Sequence, residues 1–179
     1  MSSLGFDVVE IQNNNIQGGS IRFLLKKTGL GVISKSANSF LLKEKHTKIY
    51  DKNFLKNWSS MIKNNILTIK KNINKEKEKG ILCYAYGSPT KASLLLKIAD
   101  LSSDHIEYVV EDNKYKVGKF LPKTSLSILP VDFLDFNKKC VIVILAWNFS
   151  DDIIKKLRKL FNVPFKVIIP FPQLKIIDL

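Results

Sequence analysis

Cysteine, histidine and arginine are scarce in this chain of 179 residues, and each scarcity narrows what the protein can do. The two cysteines, Cys83 and Cys140, lie in the apolar strand-like runs Ile81-Leu82-Cys83-Tyr84-Ala85 and Cys140-Val141-Ile142-Val143-Ile144-Leu145. A reduced thiol packs there as a small hydrophobe, so no disulfide framework is expected. His46 and His105 are isolated from each other and from any CxxC or HxxxH spacing, which leaves no candidate metal site. Both read as surface or helix-packing residues. Apart from Arg22 and Arg158, every basic residue is lysine. A net charge of +13 invites a nucleic-acid reading. Base recognition, however, favours the planar fork of arginine, and the lysines are spread along the whole chain as on a solvated surface. No nucleic-acid partner is expected.

Long apolar runs are missing as well. None reaches the roughly 20 residues that a membrane-spanning helix requires, so no membrane association is expected. The opening residues, Met1-Ser2-Ser3-Leu4-Gly5-Phe6-Asp7, show no basic leader and no apolar stretch ahead of a small-residue cleavage site. A cytoplasmic protein is the expectation. There is no internal repeat. No serine, cysteine or histidine arrangement suggests a covalent nucleophile, and no pair of acids is placed for acid/base work.

What is present is 45% hydrophobic, enough for one ordinary domain with a smaller appendage. Residues 1–28 alternate as a β-hairpin: Phe6-Asp7-Val8-Val9-Glu10-Ile11, a polar Asn13-Asn14-Asn15 stretch, then Gly18-Gly19-Ser20 leading into Ile21-Arg22-Phe23-Leu24-Leu25. Two strands alone are marginally stable and want a sheet to join. Residues 29–80 read as a linker and one long amphipathic helix over 43–75, with Ile49, Phe54, Trp58, Ile62, Ile69 and Ile73 at helical spacing. Residues 81–179 alternate strand and helix, with strands at 81–85, 106–111, 140–145 and 166–169 and helices at 91–100 and 151–161. That order predicts an α/β, Rossmann-like parallel sheet with flanking helices, and continuously apolar strands agree with burial on both faces. Residues 117–134, carrying Pro122 and Pro130, are less regular and are expected to wander over the strand ends.

In such a sheet, the loops leaving the carboxyl ends of the strands line the ligand crevice. The first is Tyr86-Gly87-Ser88-Pro89-Thr90-Lys91. Its glycine permits close approach, its proline suits a helix start, and amides there with Lys91 could hold a phosphate; a plain strand-to-helix turn explains it equally well. The second loop begins Glu111-Asp112-Asn113, where an acid can grip a ribose or simply serve a turn. The third is Ala146-Trp147-Asn148-Phe149. Trp147 can close the core, but Asn148 has no packing reason to be there, so the pair leans towards a site.

Taken in order, Tyr86-Gly87-Ser88-Pro89-Thr90-Lys91, Tyr108-Val109-Val110-Glu111-Asp112-Asn113, Lys116-Val117-Gly118-Lys119-Phe120-Leu121-Pro122, Ala146-Trp147-Asn148-Phe149 and Ile168-Ile169-Pro170-Phe171-Pro172 resemble the C-terminal domain of S-adenosylmethionine-dependent sugar C-methyltransferases. Gly5-Phe6-Asp7-Val8-Val9 and Gln17-Gly18-Gly19-Ser20-Ile21-Arg22 look like the last hairpin of the methyltransferase domain in that family. The resemblance implies a nucleotide-sugar partner, with Tyr86, Gly87, Ser88, Pro89, Lys91, Glu111, Asn113, Trp147 and Asn148 as its binding residues. It also implies S-adenosylmethionine as cofactor. The family's cysteine-rich zinc-binding domain and glycine-rich cofactor loop are expected to lie outside this chain, with a separate methyltransferase-domain chain as a candidate partner.

Family members methylate a carbon beside a keto group, and the histidine before Gly-Gly-Ser is implicated in removing the proton. Here that catalytic position is Gln17. A glutamine orients by hydrogen bonds but is no general base near neutral pH. Either the base lies elsewhere, or the reaction differs, or this protein does not catalyse C-methylation. As a lone chain, no methyl transfer is expected. The alternative is a non-enzymatic nucleotide-sugar binding or scaffold module.

Overall fold

A computed structural model describes residues 2–179, which form two compact units, one ending at Ser59 and the other Ser60–Leu179. The N-terminal unit is built on β1 (Phe6–Asn14) and β2 (Ser20–Lys27), an antiparallel pair running from Phe6↔Lys27 to Asn14↔Ser20 with a bulge between Val8 and Glu10. The expected hairpin is therefore present and longer than the apolar alternation suggested. No third strand joins it among the described residues. Instead α1 (Lys35–His46) packs on β1, burying Val9, Ile11 and Ala37. Gly31 comes so close that a Cβ there would sit 2.4 Å from Val9 Cγ1. The Ser34 hydroxyl accepts a hydrogen bond from the Ala37 amide and caps α1.

The single long helix expected over 43–75 is two helices. α1 stops at Thr47, whose backbone is extended (φ −74°, ψ 146°), and α2 (Lys52–Lys77) restarts after Asp51, also extended. The Asp51 carboxylate accepts from the Phe54 amide at 2.9 Å, satisfying an otherwise unpaired first-turn donor. Apolar spacing continues across the break, and the capping residues stop the helix.

The C-terminal unit contains β3 (Leu82–Tyr86), α3 (Thr90–Ile98), β4 (Val109–Glu111), β5 (Ile128–Pro130), β6 (Cys140–Ile144), α4 (Ser150–Leu160), β7 (Lys166–Ile169) and β8 (Lys175–Asp178). The sheet order is β5-β4-β3-β6-β7-β8, parallel except for the antiparallel edge strand β8. This is the doubly wound order, with its reversal point between β3 and β6. Alternate residues feed two cores. Cys83, Ala85, Val141, Val143 and Ile168 face one side, where Ile69 and Ile73 of α2 and Leu96 of α3 cover them. Tyr84, Tyr86, Ile142, Ile144 and Val167 face the other, under Ile153 and Leu157 of α4. Cys83 and Cys140 are buried thiols, as expected; desolvation holds both thiols well above the usual range, Cys140 at about 12. Among the described residues no helix is long and apolar enough to cross a membrane, and no group of acids, histidines and cysteines could hold a metal ion.

Three expectations for this unit are corrected. The strand foreseen at 106–111 is regular only from Val109, because residues 103–105 turn first. β5 lies inside the segment expected to be irregular, and β8 was not foreseen. Both are edge strands of three or four residues, too short to display a period.

At the amino end of β7 sits an almost fully buried acid, Glu76, 5% exposed. Its carboxylate pairs with Lys166 and with Lys79 (2.9 Å), and Lys166 also approaches Asp178 at 3.6 Å. The hydrogen bond from Lys166, then that from Lys79, hold the Glu76 carboxyl below its ordinary value of 4.5 despite burial. A depressed carboxylate stabilises the fold above its unfolded-state pKa and loses that contribution as pH falls through the folded value. Glu76→Gln should therefore cost about 1–3 kcal/mol at pH 7, the penalty for a buried charged hydrogen bond broken on one side. In urea unfolding, the gap between wild type and variant should close as pH drops below 4.5.

Candidate functional site

The site is the rim above the carboxyl ends of β3, β4 and β6, where the sheet order reverses and the loops diverge. Its tightest point is Gly87, held at φ +86°, where an added Cβ would lie 2.5 Å from the Ala146 Cβ. The Leu145 and Ala146 amides both donate to the Tyr86 carbonyl, at 2.9 and 3.2 Å. Close approach and a left-handed backbone together require glycine here.

Beside it, the Glu111 carboxylate joins two loops. One oxygen accepts from the Ser88 amide (2.9 Å) and the Ser88 hydroxyl (2.5 Å). The other accepts from the amides of Asp112 (3.0 Å) and Asn113 (3.1 Å). Lys116 reinforces this clasp, donating to the Ser88 carbonyl at 3.0 Å and standing 3.7 Å from the carboxylate. Burial alone would raise the Glu111 pKa. The Ser88 hydroxyl, the Asn113 and Ser88 amides and the Lys116 charge outweigh it and hold the carboxyl below its ordinary range. The Asn113 side chain accepts from the Tyr115 amide at 3.0 Å and shapes the turn that follows.

On the other side of the rim, the buried Tyr86 hydroxyl donates to Asp112 at 2.8 Å, and Lys156 of α4 pairs with the same carboxylate. Burial first, and the Asp112 bond second, push the Tyr86 phenol far above its usual range, so it stays protonated. The half-buried Trp147 carries the Lys91 ammonium 3.6 Å from its ring centroid and meets the Phe171 ring at 5.3 Å. Desolvation lowers the Lys91 pKa. Asn148 follows in the exposed 3-10 turn Trp147–Phe149, and Pro89 stands at the cap of α3.

Nine of the ten residues singled out from the sequence thus gather on one rim. Gln17 belongs to the N-terminal unit, at the hairpin turn between β1 and β2, with a left-handed backbone (φ 55°) and an exposed side chain. Sequence reading did not single out Asp112, Lys116, Lys156 and Phe171. Lys116 and Phe171 fall in the motifs quoted above, whereas Lys156 reads as one lysine among many on an amphipathic helix.

Fold and rim together define a doubly wound α/β domain whose polar loops gather at the carboxyl ends of its strands. Its family is equally clear: a profile described as the C-methyltransferase C-terminal domain matches residues 15–172, and the chain belongs to that family. The C-methyltransferase NovU of Streptomyces niveus is 28% identical over 93 residues. That match covers 52% of this chain and 22% of the relative, so the chain spans only part of that protein's length.

Gly87→Ala should lower stability by about 2–4 kcal/mol, combining a strained left-handed side chain with overpacking against Ala146, measurable by urea unfolding. In a Trp58→Phe background, Trp147 emission should change as Lys91 deprotonates, at a pH below the ordinary lysine value of 10.5. The same titration on Lys91→Met should be flat.

Proposed function

We propose that this chain is the substrate-holding portion of a sugar-nucleotide C-methyltransferase, with its rim binding the nucleotide-sugar and another domain or chain supplying the methyl donor. The observation that carries this reading is the Trp147 platform at the reversal point, with Lys91 on its face and Asn148 beside it. An indole face packs against the apolar side of a sugar or base, an amide reads hydroxyls, and an ammonium attracts phosphate. The Gln17 carboxamide takes no proton, so the base for a carbon acid lies outside this position.

S-adenosylmethionine is implied for the family, and this rim does not fit it. The acid at the end of β4 would be needed for a ribose diol, but Glu111 already accepts four hydrogen bonds from its own loops. The first loop offers a single glycine, and its Ser88 amide is committed to that carboxylate. The methyl donor in this reading binds a methyltransferase domain that docks on the hairpin, where Phe23 and Leu24 of β2 are about half exposed. The setting is cytoplasmic.

Calorimetric titration with keto-sugar nucleotides tests the reading. The intact chain should bind, Trp147→Ala and Asn148→Ala should each weaken binding about tenfold or more, and the chain alone should transfer no methyl group. Absence of heat with every sugar-nucleotide would point to a scaffold; turnover of S-adenosylmethionine by the isolated chain would overturn the division of labour.

A further inference from the structure

The connection from β4 to β5 departs from the usual doubly wound pattern. Parallel strands are ordinarily joined by a crossover helix. Here the described crossover contains no helix. The chain leaves Glu111, is tied down by Lys116, and folds back on itself, with Gly118 donating to the Ile128 carbonyl and Ile128 to the Lys119 carbonyl. Leu121 and Leu126 plug this segment into the core. Between its outer side and α3 lies a cleft of about 650 Å³, within the usual range of small-molecule sites, about 300–1,000 Å³.

Lys97 comes from α3, and Lys116, Lys119 and Lys123 come from the crossover. Lysine is plentiful throughout this chain, so number alone means little. Convergence on one concavity, with no acid in its lining, is a different matter. Lys97, Lys119 and Lys123 have no ion-pair partner among the described residues. Two large apolar side chains line the same cleft in open positions, Leu94 at 61% and Phe120 at 66% exposure. Meanwhile the anion position offered by the Ser88 amide and hydroxyl is filled by Glu111. The unpaired lysines of the cleft stand beside that occupied position.

We propose that this cleft takes the nucleoside diphosphate part of the ligand, the diphosphate between Lys97, Lys119 and Lys123 and the flat base against Phe120 and Leu94. The proposal rests on the nucleotide-sugar reading of the rim and adds to it a second, separable subsite. The Ser88-Pro89-Thr90 turn borders the cleft while Lys91 reaches the Trp147 ring, so one loop serves both subsites.

The test is isothermal titration of the full chain with the diphosphates of uridine, thymidine, adenosine and guanosine, with inorganic pyrophosphate, and with keto-sugar nucleotides. At least one nucleoside diphosphate should bind more tightly than pyrophosphate. Lys97→Gln combined with Lys119→Glu should weaken it tenfold or more and flatten its salt dependence. Phe120→Ala should weaken the nucleoside diphosphate and leave pyrophosphate unchanged. All three substituted side chains are exposed, and an unchanged thermal midpoint checks the fold. Trp147→Ala should weaken a sugar-nucleotide much more than a nucleoside diphosphate. If the lysine variant binds all ligands like wild type while Trp147→Ala weakens them all, the cleft is not the subsite and the rim reading survives. Equal binding of pyrophosphate and nucleoside diphosphates, insensitive to Phe120, would overturn the base pocket. No binding of any nucleotide would overturn both readings.

Discussion

The Glu111 carboxylate is the constraint on which the rim depends. A half-buried acid bridging two loops would ordinarily favour its neutral form, yet four donors converge on it and an ammonium stands nearby. Charge is retained because donors replace the lost water. The consequence is geometric. Ser88 is drawn towards β4, Asn113 is placed to form its own turn, and Lys116 anchors the start of the crossover. One ionised side chain thus sets the first loop, the second loop and one wall of the lysine cleft together.

The two ends of the sheet divide the work. At the amino end, Glu76 with Lys79 and Lys166 ties α2 to β7. At the carboxyl end, the polar groups surround a concave, partly open surface, and Gly87 is restricted there by its left-handed backbone and by Ala146. Both acids are held below their ordinary range by donors, but Glu76 faces two cations that belong to the scaffold, whereas Glu111 positions loops whose outer surfaces remain exposed. The ion pairs of the scaffold and the acid that positions the loops thus lie at opposite ends of the sheet.

Much of this was legible in the sequence because it rests on local signals. Strand Lys166–Ile169 matches its apolar run, and β3 and β6 differ from theirs by a residue at each shifted end. Gly87, Trp147 and Asn148 stood out by position, each falling just after an apolar run ends. The helix break at Thr47–Asp51 was hidden because apolar spacing continues through it, and only the cap at Asp51 reveals it. β5 and β8 were too short to show a period. The Asp112–Lys156 pair, and the gathering of lysines at one cleft, are products of tertiary folding: in the sequence those residues are ordinary members of a lysine-rich composition.

The missing crossover helix has a mechanical consequence. A helix between β4 and β5 would bury one face against the sheet, so changes in its length or sequence would disturb the core. The irregular segment is fastened instead at a few points, Lys116, Leu121, Leu126 and Ile128, with exposed residues between them. Changes at those intervening exposed positions would leave the packing of the sheet undisturbed. A substitution between the anchors is absorbed locally by the strap, whereas one at an anchor is felt by the sheet.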